Sequence, residues 1–187
     1  HTDITRRKET ELRLKQAESR YRRLFEGAPA MYAVTRNTHG RPVVSDCNEL
    51  FFSALGYPKE EVVGRPLQDF YSQASADQLI GGGGYARALA GQFFLGEREL
   101  KKSDGTLIPS HLYTVPELDA YGQVIGTFAM YVDITDRKEA DKQLAEHHAQ
   151  MELAQQIARM GYWTLDIATS IPNWSPMMFE ILGRDPA

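Results

Sequence analysis

The sequence of 187 residues is poor in cysteine, in long apolar runs and in net charge. Its one cysteine, Cys47, excludes an internal disulfide and a cysteine-based metal site, and suits a reducing compartment. No apolar run approaches a membrane span, and no signal peptide opens the chain. A net charge of −4 argues against a nucleic-acid partner. We expect this chain to be a cytoplasmic part of a longer protein. Membrane-spanning segments elsewhere in that protein are compatible with this expectation.

The sequence also lacks the motifs of an enzyme. Residues 81–84 are four consecutive glycines, but no Lys-Ser/Thr pair follows them and no strand leads into them, so they do not form a phosphate loop. A flexible break in a helix is the better interpretation. No nucleophile–base pair or metal-ligand spacing occurs elsewhere, and we expect no catalytic activity in this chain.

An internal repeat organises the chain. The segment Asp3-Ile4-Thr5-Arg6-Arg7-Lys8-Glu9 recurs, with one change, 130 residues later as Asp133-Ile134-Thr135-Asp136-Arg137-Lys138-Glu139. A second similarity relates residues 48–56 to residues 175–183, each with a helix-capping residue, apolar helical spacing and a glycine stop. These repeats predict a preceding unit's end with a linker helix (1–26), a whole unit (27–135), a second linker helix (136–160) and the truncated start of another unit (161–187).

Each linker helix carries sparse apolar positions in a charged background. The positions step by 3, 4 and 3 residues, which is the spacing of a coiled-coil seam. The seam residues are Leu14, Ala17, Tyr21 and Leu24 in the first helix, and Leu144, His147, Met151 and Ala154 in the second. The pattern predicts a parallel homodimer, in which His147 either makes the seam pH-sensitive or is a tolerated polar residue that sets its register.

The whole unit has the element order of an α+β fold. Two short strands, at residues 30–36 and 42–46, precede several short helices. Period-two patterns then indicate three long strands at residues 93–102, 106–118 and 123–132. We predict one antiparallel sheet with the helices gathered on one face.

The last strand is apolar on both faces. Ile125 and Tyr131 lie on one side, and Phe128 and Met130 on the other. A sheet with one wet face should carry polar side chains there. We expect the first linker helix, through Tyr21, Leu24 and Phe25, or a second subunit to cover the outer face.

These residues resemble the PAS family. The similarity rests on the order of several short motifs, and residues 161–183 look like the start of a second such domain. The motifs are Tyr21-Arg22-Arg23-Leu24-Phe25-Glu26 leading into Ala28-Pro29, Asn48 to Tyr57, Val63-Gly64-Arg65-Pro66, Lys102-Ser103-Asp104-Gly105-Thr106, Gly122 to Gly126, and Asp133-Ile134-Thr135.

The resemblance implies a PAS fold: a five-stranded antiparallel sheet with short helices on one face, a cavity between them, and long coiled-coil linker helices on either side. It also implies that Asp133, Ile134 and Thr135 relay signals from the core to the output helix, although an ordinary helix cap is the simpler interpretation. Residues that line or simply fill the cavity are expected to be Phe51, Phe52, Leu55, Phe70 and Tyr131, and His111 is a further candidate.

The sequence identifies no cofactor or ligand, and it argues against two cofactors that occur in the family. Leu67 stands where flavin-binding members of the family carry their reactive cysteine, which argues against a flavin photo-adduct. No histidine occurs between His39 and His111, which argues against haem ligation. His111 and Arg98 are candidates to contact an anionic ligand, or else are solvated strand residues.

We therefore expect a sensory module that either binds a small molecule or acts as a sealed dimerisation and relay domain. In the family, such linker helices commonly feed histidine kinase or diguanylate cyclase domains, and a histidine kinase is the preferred expectation for the parent protein.

Overall fold

The computed structural model describes residues 2–184. His1 and residues 185–187, at the ends of the first and last predicted segments, lie outside that range. The chain divides into two compact units, residues 1–135 and 136–187, which are described separately below.

The first unit begins with a long helix and continues with strands and short helices. Its elements are α1 (Thr2–Glu26), β1 (Met31–Thr38), β2 (Arg41–Cys47), α2 (Glu49–Leu55), α3 (Lys59–Val62), a 3-10 helix (Leu67–Phe70), α4 (Gln73–Ile80), α5 (Gly84–Leu89), β3 (Phe94–Lys101), β4 (Leu107–Leu118) and β5 (Val124–Asp133).

The five strands form one antiparallel sheet in the order β2-β1-β5-β4-β3. The chain leaves β1 through a two-residue turn in which His39 and Gly40 both have positive φ, 52° and 80°. Such a turn matches the right-handed twist of the paired strands. The predicted α+β class and five-stranded sheet are confirmed.

The core lies between the sheet and the short helices. Phe51 and Leu55 from α2 and Phe70 from the 3-10 helix are fully buried against it. Period-two alternation gives β5 a core face with Thr127, Ala129 and Tyr131. Their neighbours on the strand point to the other side of the sheet.

The C-terminal end of α1 covers part of that other side. Phe25 is 3% exposed, and its ring centroid lies 5.8 Å from that of Tyr32 and 6.2 Å from that of Phe128. Tyr21 stacks on Phe25 at 5.5 Å. Leu24, which was expected to join them, is instead 67% exposed, because one step along the helix turns it about 100° away from Phe25. Further along the sheet the outer face stays open, with exposed side chains at Leu95, Val115 and Val132.

One buried asparagine ties α1 to the core. The Asn48 side-chain oxygen accepts from the backbone N–H groups of Tyr32, at 2.8 Å, and Phe51, at 3.1 Å. Its amide nitrogen donates to the carbonyls of Phe25, at 3.1 Å, and Ala30, at 2.9 Å. Asn48 therefore caps α2 and at the same time fixes the end of α1 beside β1.

The second unit contains α6 (Thr135–Ile157), β6 (Trp163–Asp166), β7 (Ile171–Trp174) and α7 (Pro176–Leu182), with β6 and β7 paired antiparallel. Its hydrogen bonds repeat those of the first unit. Ser175 accepts from the N–H groups of Tyr162 and Met178, as Asn48 does from Tyr32 and Phe51.

The end of the repeated helix matches as well. Gly56 and Gly183 both end their helices in the left-handed conformation, at φ 74° and 63°. The residue after each glycine donates its N–H to the carbonyl five residues earlier, Phe52 or Phe179. The similarity of residues 48–56 to residues 175–183 is therefore a similarity of backbone structure. Within residues 2–184, no helix is both long enough and apolar enough to span a membrane.

Candidate functional site

A small cavity lies inside the first unit, between the sheet and the helices α4 and α5. Its volume is about 20 Å³, which is room for about one water molecule. Most of its wall is apolar, with Leu67, Leu79, Ala88, Phe94 and Leu112 among the contributors. The polar side chains in the wall are Tyr71, Tyr85, Arg98, Thr114, Thr127 and Tyr131.

Two tyrosines form a buried pair at this cavity. The hydroxyls of Tyr71, just after the 3-10 helix, and Tyr131, on β5, lie 2.6 Å apart. Burial raises the pKa of Tyr71 to about 12, and burial together with the neighbouring Tyr71 raises the pKa of Tyr131 well above its usual value. Both hydroxyls are therefore protonated at neutral pH, and one of them donates to the oxygen of the other.

Arg98, on β3, is the only charged side chain in the cavity wall, and it is 9% exposed. Its guanidinium packs on the Phe94 ring, 4.5 Å from the centroid, and one terminal nitrogen donates to the Glu97 carbonyl at 2.7 Å. The Nε is buried without a hydrogen-bond partner. Among the described residues, no carboxylate forms an ion pair with Arg98. A buried cation without a counter-ion is unfavourable unless another group neutralises it.

The Tyr85 hydroxyl, from α5, is a second buried group without a hydrogen bond of normal geometry. It lies near Thr35, but the Thr35 hydroxyl is already shared with that of Thr127 at 2.7 Å, and it also accepts from the Thr127 N–H. The cavity wall thus contains two buried groups with no hydrogen-bond partner, the Nε of Arg98 and the hydroxyl of Tyr85.

The helix that carries Tyr85 is separated from α4 by the glycine run. Gly83 has φ of 69°, and a Cβ at Gly82 or Gly84 would lie within 2.9 Å of the Gln78 carbonyl oxygen. Only glycine fits this sharp connection between the two short helices. The run is therefore a structural break beside the cavity, in agreement with the interpretation of the sequence as a helix break.

The sequence-based cavity candidates divide between this wall and the solid core. Tyr131 lines the cavity, whereas Phe51, Leu55 and Phe70 fill the core beside it with no exposure. The Phe51 ring lies 5.6 Å from that of Tyr131 and 6.2 Å from that of Phe70. Phe52 is only partly buried and packs at the edge of the core.

The expected cavity position of His111 is corrected by the strand register. Its neighbour Leu112 lines the cavity, and alternation along β4 therefore turns His111 to the outer face of the sheet. There its Nε2 lies 3.4 Å from a carboxylate oxygen of Glu97, its cross-strand partner.

Sequence reasoning missed Tyr71, Tyr85 and Thr127 as cavity residues and left Arg98 between a ligand contact and a solvated position. A usable signal existed for Arg98, because period-two alternation places it on the same face as Leu100, which is fully buried. For Tyr85 there was no such signal, since its position depends on the path of the chain through the glycine run.

The relay residues form the junction between β5 and α6. The Asp133 carboxylate accepts from the N–H of Thr135, at 2.8 Å, and from its hydroxyl, at 2.6 Å. The N–H of Ile134 donates to the Pro109 carbonyl at 2.9 Å, which holds the junction on β4. Ile134 is 7% exposed. The junction is thus fixed to the sheet through Ile134, and α6 begins four residues beyond Tyr131.

The predicted seam residues are all exposed in the single chain. In α1 the exposed fractions include 68% for Leu14 and 48% for Tyr21, and in α6 they include 58% for Leu144 and 62% for Met151. Ala17, His147 and Ala154 are exposed as well. Both helices therefore present an apolar stripe to solvent.

Metal and cofactor chemistry finds little support in the residues present. Within residues 2–184, no three His, Cys, Asp or Glu side chains group in a way that would hold a metal ion. Leu67, at the position of the flavin-linked cysteine, is 3% exposed and lines the cavity as an aliphatic side chain. Cys47 is buried at the end of β2, and its burial raises the thiol pKa to about 11.

Comparison with known proteins agrees with this architecture. A family model described as PAS fold matches residues 25–139. A comparison with curated proteins finds no match.

Several solved structures are similar to the chain. The PAS domain of an HTR-like protein from Haloarcula marismortui is 23% identical, with a TM-score of 0.57, covering 68% of this chain and 99% of that one. A domain of a sensory box sensor histidine kinase/response regulator from Geobacter sulfurreducens is 21% identical, with a TM-score of 0.52, covering 64% and 96%. A LOV protein from Rhodobacter sphaeroides is 12% identical, with a TM-score of 0.54, covering 72% and 76%.

Proposed function

Because the chain belongs to the PAS family, we propose that residues 27–135 are a sensory module that passes the state of its internal cavity to the helix α6. One observation carries the proposal: a single strand joins the two sites. Tyr131 of β5 lines the cavity and pairs with Tyr71, and Asp133 on the same strand caps the start of α6. A shift of the strand at Tyr131 therefore changes the position from which α6 begins.

The preceding helix is fixed to the same core. Asn48 bonds the Phe25 and Ala30 carbonyls, and the Glu26 carboxylate accepts from the N–H of Glu49 at 2.7 Å. Lys59 lies 3.9 Å from Glu26 and 3.0 Å from Asp46. A helix fixed just before β1 and a helix that follows β5, the strand paired with β1 through Met31 and Tyr131, suit a module within a chain of signalling domains.

The input to the module is proposed to be a small molecule in the cavity. A ligand shifts the equilibrium only through a difference in affinity for the two states. Native mass spectrometry of freshly purified protein, with melting curves over a panel of small metabolites, tests this step. A bound mass or a ligand-dependent rise in Tm is the expected result, and the absence of both would leave the module without an input of this kind.

A sealed relay is the second candidate, and the cavity volume of about 20 Å³ favours it. Ligand pockets typically measure about 300 Å³ or more, so a drug-sized ligand would require the helices to move. In a sealed relay the input arrives through α1, and melting curves are the same with and without every compound tested.

We propose that two copies of the chain pair in parallel through the seam residues of α1 and α6. The output is proposed to be a histidine kinase, with a diguanylate cyclase as the alternative. The similarity to a domain of the Geobacter sulfurreducens sensor histidine kinase supports the first choice. The sequence that follows α7 in the parent gene tests it directly.

The chain itself is proposed to act by binding and relay in the cytoplasm and not by catalysis. The Tyr71 and Tyr131 hydroxyls, whose pKa values are raised by burial, stay protonated at neutral pH and cannot act as bases. A single buried cysteine without a disulfide partner, Cys47, suits a reducing compartment.

A further inference from the structure

We propose that the cavity binds a short monocarboxylate, such as acetate or propionate, whose carboxylate neutralises Arg98. This inference rests on the proposed function, because it names the ligand class of the same site. The observations behind it are the buried, unpaired guanidinium and the unsatisfied Tyr85 hydroxyl, which meet at one cavity.

The charge of the cavity selects an anion. Arg98 is the only charged residue in the wall, and its Nε lacks an acceptor. A carboxylate oxygen accepts from guanidinium nitrogens in strong, charge-assisted hydrogen bonds. A water molecule would satisfy the geometry of the donors but not the charge. One guanidinium with no second cation in the wall matches a single negative charge and not a phosphate dianion or a dicarboxylate.

The remaining wall selects a short apolar tail. Leu79, Ala88 and Leu112 surround the space beside Arg98 and offer no hydrogen bonds from their side chains. An inorganic anion has no apolar part to contact these three side chains. The methyl or ethyl group of a short carboxylate packs against them and is removed from water. The volume of about 20 Å³ holds about one water molecule, so the carboxylate and its tail enter only when the helices move outward.

The glycine run provides the means of entry and sets an upper limit on tail length. Tyr85 and Ala88 of α5 form part of the wall, and α5 is joined to α4 only through residues 81–84. Rotation at these glycines would move α5 away from the sheet. Each additional methylene requires more of this movement, so affinity should peak at two or three carbons and then fall.

Binding is tested by isothermal titration calorimetry and melting curves of the 187-residue protein with sodium formate, acetate, propionate, butyrate and hexanoate. Propionamide, a neutral molecule of nearly the same shape, is the control for charge, and sodium chloride at equal ionic strength is the control for inorganic anions. We expect acetate or propionate to bind and to raise Tm, and propionamide and chloride to do neither. Equal shifts with chloride or propionamide would overturn the carboxylate assignment.

Variants locate the site. Arg98→Gln should lower propionate affinity about tenfold or more, which is the effect of losing a hydrogen bond to a charged group. Arg65→Gln is the matched control, because Arg65 also lies over an aromatic ring, Phe70 at 4.8 Å, but outside the cavity wall. Tyr85→Phe removes one unsatisfied oxygen, so it should fold normally yet bind propionate about threefold to tenfold more weakly. Unchanged affinity in the folded Tyr85→Phe and Arg98→Gln proteins would overturn the proposal.

The outcome also separates this inference from the proposed function. If a different compound binds the cavity and no carboxylate does, the ligand class is wrong and the sensory module remains. If propionate binds through Arg98 but α6 does not respond, the site is correct and the relay is wrong.

Discussion

At the scale of single residues, the hydrogen bond between Tyr71 and Tyr131 is a buried contact in the cavity wall, and its contribution to stability can be measured. Replacing either tyrosine with phenylalanine leaves the other hydroxyl buried without a partner, at a cost of about 1–3 kcal/mol. Replacing both tyrosines removes the unsatisfied hydroxyl. The double variant should therefore lose less free energy of unfolding than the two single variants lose in total. Urea unfolding of the four proteins measures this coupling, and strict additivity would show that the two hydroxyls do not interact. Tyr113→Phe, on the outer face of β4, is the control and should be nearly neutral.

The same pair makes stability depend on alkaline pH. The pKa of Tyr71 rises from 10.0 to about 12 in the folded protein, and that of Tyr131 rises well above its usual value. The unfolded chain therefore loses these protons at a lower pH than the folded chain does. Their contribution is complete below pH 10.0 and should fall above it, by about 1.4 kcal/mol per pH unit for each tyrosine.

Urea unfolding at a series of pH values from neutral to about 12 checks this dependence. Tyr71→Phe should show a shallower decline than the wild type. A decline of equal slope in both proteins would mean that other groups, such as the buried Cys47 thiol, account for it.

The sequence located single residues only where a regular pattern identified the buried face. Alternation placed Tyr131 on one of the two apolar faces of β5, and the apolar helical spacing of residues 48–56 includes Phe51 and Leu55. It did not predict the hydroxyl partner Tyr71, because the residue follows a 3-10 helix whose direction is determined by tertiary contacts. His111 was misplaced because its chemistry was considered without the alternation that turns it outward.

At the scale of elements, the junction of β5 and α6 is the feature with the clearest consequence. Asp133→Ala removes the acceptor for the first helical N–H and for the Thr135 hydroxyl, and should lower the free energy of unfolding by about 1 kcal/mol. Asp133→Asn keeps an acceptor and should lose less. Thermal and urea unfolding of both variants measures the difference. Equal losses would show that the negative charge at the helix start matters more than the hydrogen bonds.

Element boundaries were predicted well because the sequence marks them chemically. Asn48, Ser103-Asp104-Gly105 and Gly56 are capping or turn residues whose conformations depend on neighbours close in sequence. The position of α5 over the sheet is the exception, since a glycine run allows many chain directions and only packing selects one.

At the scale of the whole molecule, the exposed apolar stripes of α1 and α6 predict self-association. Leu144→Asp places a charge within the seam and should weaken dimerisation, whereas Ala149→Asp, on the far side of the same helix, should not. Light scattering over a range of concentrations measures both. A wild-type monomer at high concentration, or equal effects of the two variants, would contradict the seam.

The claim at the centre of this account is that a change at the cavity alters the paired α6 helices. The direct measurement is the distance distribution between spin labels on Ala149→Cys in the two chains of the dimer, because the buried Cys47, with its pKa of about 11, should not be labelled. The distribution should shift when Tyr131→Phe disturbs the cavity and stay unchanged with Tyr113→Phe. Identical distributions in folded, dimeric Tyr131→Phe and wild-type protein would contradict the relay.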